Sequence, residues 1–194
     1  MTSSTPIDIC NTALNQLGAG VIQSFEEQSP LAITCSLNYD RCRLGLLRDN
    51  PWTFASKRAT LPRVADANLP PAAADKFRYV FKLPSDLVRI QRVENDYDYR
   101  KEGENLLSRY ETAEILYVAN ITDVKQFDPK FEEALVAKLA SDMSYAVTRD
   151  ANIRNQMYEI YEQRMQEARF CNAIEDIEEV IADVDRRFVD IRFT

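Results

Sequence analysis

Apolar residues recur every three or four positions at the two ends of this chain and every second position in its middle. That pattern predicts helices on either side of a β-rich segment. In the first helix Ile9, Cys10, Ala13, Leu14 and Leu17 make one stripe. Thr5 suits the N-cap, Pro6 the first turn, where its missing N–H costs nothing, and Asp8 complements the helix dipole; Gly18 supplies a left-handed stop. A short connector with Val21, Ile22 and Phe25 follows. The second helix repeats the signal, capped by Ser29 and started by Pro30, and runs to about Arg48. Its core face is expected along Ile33, Leu37, Leu44 and Leu47, broadened by Cys35, Tyr39, Cys42 and Leu46. Asp49-Asn50-Pro51 ends it, because the residue before a proline is pushed out of the helical region. Two helices this close in sequence predict an antiparallel hairpin.

From Trp52, the single tryptophan, to Leu61 the chain turns extended. The next stretch, 62–76, holds Pro70-Pro71 and three consecutive alanines and reads as an exposed loop. Phe77, Tyr79, Phe81 and Leu83 then alternate with Arg78, Val80 and Lys82, the pattern of a half-buried strand. Pro84-Ser85-Asp86 is a turn, and Leu87, Val88, Ile90 and Val93 form a second strand. Gly103-Glu104-Asn105 between Tyr99 and Leu106 suggests a hairpin, and Ile115–Val118 a further strand. Four to six short antiparallel strands are expected, as a small sheet or partial barrel.

Asp128-Pro129 restarts the helical period, with an apolar face through Phe131, Ala134, Leu135, Leu139, Met143, Ala146 and Val147. After Asp150 another helix carries Ile153, Met157, Ile160, Tyr161, Met165 and Ala168. Residues 175–194 are acidic first and then mixed, with Ile177, Val180, Ile181, Val184, Phe188, Val189, Ile191 and Phe193 scattered irregularly among charges. This reads as an extended arm that orders against a partner through a few apolar anchors. Ile181, Val184, Phe188, Ile191 and Phe193 are the candidate partner-interface residues. The expected fold is α+β: a helical bundle from both ends (1–50 and 128–174), a small antiparallel β-rich insertion (51–127) and the C-terminal arm (175–194).

Composition narrows the chemistry. The 194 residues are 45% hydrophobic and 28% charged, as in a globular domain, and no apolar run reaches the ~20 residues that span a bilayer. Met1 to Pro6 has neither a basic nor an apolar signal region, so a cytosol-like, soluble protein is expected. Lys+Arg is 24 against Asp+Glu 31, a net −7, the wrong sign for gripping nucleic acid through its phosphates. Histidine is absent, which removes Ser-His and Cys-His catalytic pairs and imidazole metal ligands. The 4 glycines fall in no phosphate-binding spacing. No catalytic, cofactor-binding or metal-binding residue is assigned.

Local clusters read the same way. Cys10, Cys35, Cys42 and Cys171 form no CxxC pair and are expected as four buried apolar side chains. Trp52 is expected in the core. Tyr97, Tyr99 and Tyr110 resemble a base-stacking platform, but neighbouring carboxylates cancel the field of Arg100, Lys101 and Arg109. Glu26-Glu27 and Glu132-Glu133 are adjacent residues about 100° apart on a helix, which suits solvated faces better than paired catalytic acids. The acidic run 175–179 lacks the alternating ligand spacing and glycine turn of a calcium loop.

Several blocks carry a resemblance. Ile9-Cys10-Asn11-Thr12-Ala13-Leu14-Asn15-Gln16-Leu17-Gly18, Asn50-Pro51-Trp52-Thr53-Phe54-Ala55, Phe81-Lys82-Leu83-Pro84-Ser85-Asp86 and Phe127-Asp128-Pro129-Lys130-Phe131 resemble, in this order, the head-to-tail adaptors of short-tailed bacteriophages, the tail tubular protein A family. The similar blocks span roughly Ile7 to Ala168, and none is a catalytic signature. The resemblance implies a non-enzymatic virion component at the head–tail junction, made in the host cytoplasm. It implies a ring, typically of twelve copies, between the portal protein and the tail nozzle or tail tube. DNA would pass through the channel without specific binding, and no membrane would be involved. By the same analogy the arm would reach toward the portal. An acidic chain repeated around a channel would repel DNA phosphates and favour sliding. Two alternatives stay open: a tail completion or neck protein that contacts the tail instead, and a cell-wall glycosidase using two carboxylates in a cleft.

Overall fold

The helix starts are set by caps. In the computed structural model, which describes residues 4–64, 76–94 and 98–192, with side chains as far as Glu175, helix α1 spans Pro6–Gln16. Thr5 Oγ1 accepts from the Asp8 N–H, and Asp8 accepts in return from the Thr5 N–H at 2.9 Å, a reciprocal capping box. Gly18 takes the left-handed φ of 68° that ends it. Asn11 then holds the connector, donating to Ile22 O at 2.9 Å and accepting from Ile22 N at 2.8 Å. Helix α2 spans Pro30–Asp49 and α3 Pro129–Thr148, where Asp128 accepts from the N–H groups of Lys130 and Phe131. Arg149, at φ 59°, reverses the chain into α4, Ala151–Arg192.

The chain divides into two compact units, 1–46 with 122–194, and 47–121. In the helical unit α3 is central, with Phe131, Leu135, Leu139, Ala140 and Met143 fully buried. Both α1 and α4 pack on it, the latter most extensively. The expected α1–α2 hairpin is therefore secondary to α1–α3 packing. Helix α2 also buries a different face from the one expected. Ala32, Cys35, Tyr39, Cys42 and Leu46 are buried, whereas Ile33, Leu37 and Leu44 are 50%, 72% and 37% exposed; only Leu47 of the expected face is buried. The buried set runs unbroken at alternating spacings of three and four. Asp40 and Arg41 interrupt the other stripe.

The C-terminal segment differs from expectation as well. From residue 175 onward the chain is not an extended arm: α4 continues without a break to Arg192, 42 residues in all. No glycine or proline occurs after Pro129 to stop it. Ile174, Ile177, Ile181, Val184, Phe188 and Ile191 follow intervals of three and four, a regular heptad stripe that the additional Val180 and Val189 obscure in the sequence. No helix among the described residues is long and apolar enough to cross a membrane.

The β-rich unit contains six strands, β1 Ser56–Thr60, β2 Tyr79–Lys82, β3 Leu87–Val93, β4 Arg100–Glu102, β5 Asn105–Ser108 and β6 Glu114–Ala119. They form two three-stranded antiparallel sheets, β1-β6-β3 and β2-β5-β4, where one sheet or partial barrel was expected. Gly103, at φ 57°, makes the tight turn between β4 and β5. Part of the expected loop joins the second sheet: Arg63 pairs with Phe81, and Val64 N donates to Val80 O at 2.8 Å. Residues 65–75 lie outside the described residues. Trp52 is fully buried in this unit, its ring 6.2 Å from that of Phe54.

Asp86, in the turn before β3, ties the first sheet together. Its carboxylate accepts from Lys57 Nζ at 2.9 Å and from the Tyr117 hydroxyl at 3.0 Å. Burial pushes the Asp86 carboxyl up, but these two bonds outweigh it and hold its pKa below the ordinary value. Burial first, and then Asp86, push the Tyr117 phenol up to about 12.

Two tests follow from these caps and bonds. Asp128→Ala leaves two helix N–H groups without their cap and should cost about 1 kcal/mol, read as a lower midpoint in urea. Asp86 binds its proton more weakly folded than unfolded, so its contribution is complete above the ordinary carboxylate pKa and is lost as pH falls through the lowered value. Tyr117 holds its proton more tightly folded, so its contribution is lost as pH rises from about 10 to about 12. Thermal melts followed by Trp52 fluorescence should show both declines, and Asp86→Asn should flatten the acid one.

Candidate functional site

The carboxylate pairs are dispersed and solvated. Glu26 and Glu27 are exposed, and Glu27 accepts from Gln23 N at 3.1 Å. Glu133 is ion-paired with Lys130 at 2.9 Å and Arg164 at 3.6 Å. With Glu132 it borders a groove of about 790 Å³ between α1, α3 and α4, whose apolar lining is Phe127, Val136, Met157 and Ile160. Its two acids are adjacent on one helix, not opposed across the groove as glycoside hydrolysis requires. Of the acidic run 175–179, only the Glu175 side chain is described, and it is exposed. Among the described residues no three His, Cys, Asp or Glu side chains gather as a metal ion needs.

Among the described residues the tyrosine cluster is not assembled into a basic platform. Tyr97 lies outside the described residues, Tyr99 is half-buried and Tyr110 is exposed. Lys76 and Arg109 both pair with Asp98, at 2.7 and 3.0 Å, and Arg100 pairs with Glu102 at 3.0 Å. Each of these three cations already has an anion. The β-rich unit as a whole carries cations and carboxylates in near-equal number, so all of the net negative charge belongs to the helical unit.

Three cysteines sit in the helical core as expected, while Cys171 is half-exposed on α4. A hydrogen bond to Cys35, together with burial, raises the Cys10 thiol pKa, and the same bond lowers that of Cys35. Burial and the nearby Asp142 carboxylate push Cys42 up to about 12. Cys35 has no exposed surface, so the bond that lowers its pKa does not make it accessible.

What the helical unit does offer is uncovered apolar surface. The α2 stripe of Ile33, Leu37 and Leu44 is one area, with Val21 also 70% exposed. The second lies on α4. Its face toward α3 ends at Tyr161, Met165 and Ala168, all buried, and beyond these Phe170 and Ile174 are 68% and 42% exposed. Phe170 lies about 200° around the helix from Ala168, so this stripe is on the side away from α3. By their spacing in the sequence the expected interface residues Ile181, Val184, Phe188 and Ile191 fall at the same heptad positions of α4, beyond the last described side chain; Phe193 lies outside the described residues. The α2 stripe was present in the sequence but was assigned there to the core.

A third feature adjoins α2. Arg41 of α2, Lys138, Asp142 and Tyr145 of α3, and Arg154 and Tyr158 of α4 line a concavity of about 460 Å³. Its one lining carboxylate, Asp142, is engaged by Lys138 at 3.2 Å and Arg41 at 3.5 Å and accepts from Cys42 Sγ at 3.3 Å. The concavity is therefore basic within an otherwise acidic unit.

Thiol accessibility tests this arrangement. In native protein a disulfide dye reagent should titrate one thiol quickly, Cys171→Ser should abolish that phase, and the other three should react only after denaturation. Neither a protein-family model nor a curated protein sequence matches this chain.

Proposed function

We propose that this chain is a structural virion protein, a head-to-tail adaptor that forms a ring between the portal and the tail nozzle or tail tube. The observation that carries the reading is the uncovered apolar surface of the helical unit, on α2 and on the long α4. Exposed apolar stripes of this regularity on helices are a feature of surfaces that meet other proteins. The order of helices, β-rich unit and helices supports it, as do the blocks resembling such adaptors along most of the chain. The carboxylates described above are engaged by cations or spread along exposed faces, which fits a role without bond-making chemistry.

On this reading the protein works by assembly at the head–tail junction. The acidic excess of the helical unit would discourage DNA from adhering to a ring that it must slide through. The near-neutral β-rich unit would add little to that field.

Imaging tests the proposal. Mixed with the portal ring of the same virion, the chain should add a second ring stacked coaxially on the portal, and virions lacking it should be DNA-filled heads without tails. Portal rings unchanged by saturating chain, with normally tailed virions in its absence, would overturn the reading.

A further inference from the structure

The length of α4 poses a problem that the helical unit does not solve by itself. Helix α3, its main packing partner, has 20 residues, and α4 has 42. Packed antiparallel after a two-residue reversal, α4 outruns α3 by about 30 Å. A helix without tertiary support is marginal in water, because most helical stability comes from packing an apolar face. The part that outruns α3 carries such a face, the heptad stripe Phe170, Ile174, Ile177, Ile181, Val184, Phe188 and Ile191.

The same chain carries a matching acceptor. Ile33, Leu37 and Leu44 on α2 are exposed, and they fall at a and d positions of a heptad frame, with Asp40 at the intervening position. The flanks differ in sign. Arg41 borders the α2 stripe at position e, 68% exposed, next to the concavity that Lys138 and Arg154 also line. Glu178 and Asp185 border the α4 stripe at the same position e, within an acidic stretch that begins at Glu175. Antiparallel packing sets e flanks against e flanks, so an α4 stripe laid antiparallel on α2 brings acid to base. In its longest overlaps the α4 stripe is not complementary to itself. Paired antiparallel with its own copy it sets Glu178 against Asp185, and paired parallel it sets Arg187 against Arg192.

We infer that the C-terminal half of α4 docks antiparallel on the exposed α2 stripe of a second copy of this chain. Two different surfaces of one molecule then meet, a heterologous contact that repeats from copy to copy and closes into a ring or runs on as a filament. The inference assigns the C-terminal segment to a neighbouring copy, where the resemblance would send it toward the portal. It rests on the two stripes and their charges, and it stands or falls independently of portal capture.

Complementation between variants tests it. Leu37→Glu spoils the acceptor and Val184→Glu the donor; Leu37 is already 72% exposed, so its substitution leaves the fold intact. In sedimentation at low salt, native chain should associate increasingly with concentration, and each variant alone should associate at least tenfold more weakly. An equimolar mixture of the two should form a 1:1 complex and stop there, because one intact donor meets one intact acceptor. Arg41→Glu should weaken association, and mixing it with Glu178→Arg/Asp185→Arg should restore it. A native chain that stays monomeric at high concentration, a mixture that stays monomeric, or a Leu37→Glu variant that associates as the native does would each overturn the inference. So would loss of portal binding in Val184→Glu with no effect on self-association, which would make the portal the occupant.

Discussion

A helix of 42 residues packed on one of 20 has to leave about half its length without that partner. This mismatch organises the helical unit. Along its first half α4 is an ordinary bundle element, burying Tyr161, Met165 and Ala168. Past Ala168 the next exposed apolar residues, Phe170 and Ile174, lie on the side of the helix away from α3. A free helix could have been capped by glycine or proline at that point, yet the sequence continues with a heptad stripe and no breaker. That apolar stripe is the feature on which the functional proposal rests.

Charge is distributed to the same effect. The helical unit holds all of the net negative charge, but around Arg41, Lys138 and Arg154 it is locally basic, with its one lining carboxylate already engaged. In the β-rich unit, many of the exposed cations are paired with carboxylates, and Asp86 links Lys57 with Tyr117 across the first sheet. Exposed pairs of this kind contribute little to stability in water.

Much of the architecture was legible in the sequence because it is written in local chemistry. Thr5-Pro6 and Asp128-Pro129 mark helix starts through backbone N–H groups that need acceptors, and both form as read. The change of period from about 3.6 to 2 and back located the strands. Periodicity alone misled where two stripes compete on one helix. On α2, Ile33, Leu37 and Leu44 look more hydrophobic than Cys35, Tyr39 and Cys42, yet the bundle buries the set whose spacing is unbroken. On α4, extra valines at 180 and 189 hid a regular spacing, so a helix was read as an irregular arm.

By itself, then, the sequence determined where helices begin, that the middle third is β, that imidazole chemistry is absent and that the charge is acidic. Each of these depends on a residue and its immediate neighbours. Only the tertiary structure decided which α2 stripe enters the core, that the strands divide into two sheets, that Cys10 meets Cys35, and that α4 outlasts its packing partner. Those outcomes depend on how closely distant segments can approach one another and on which surfaces are left over once they have.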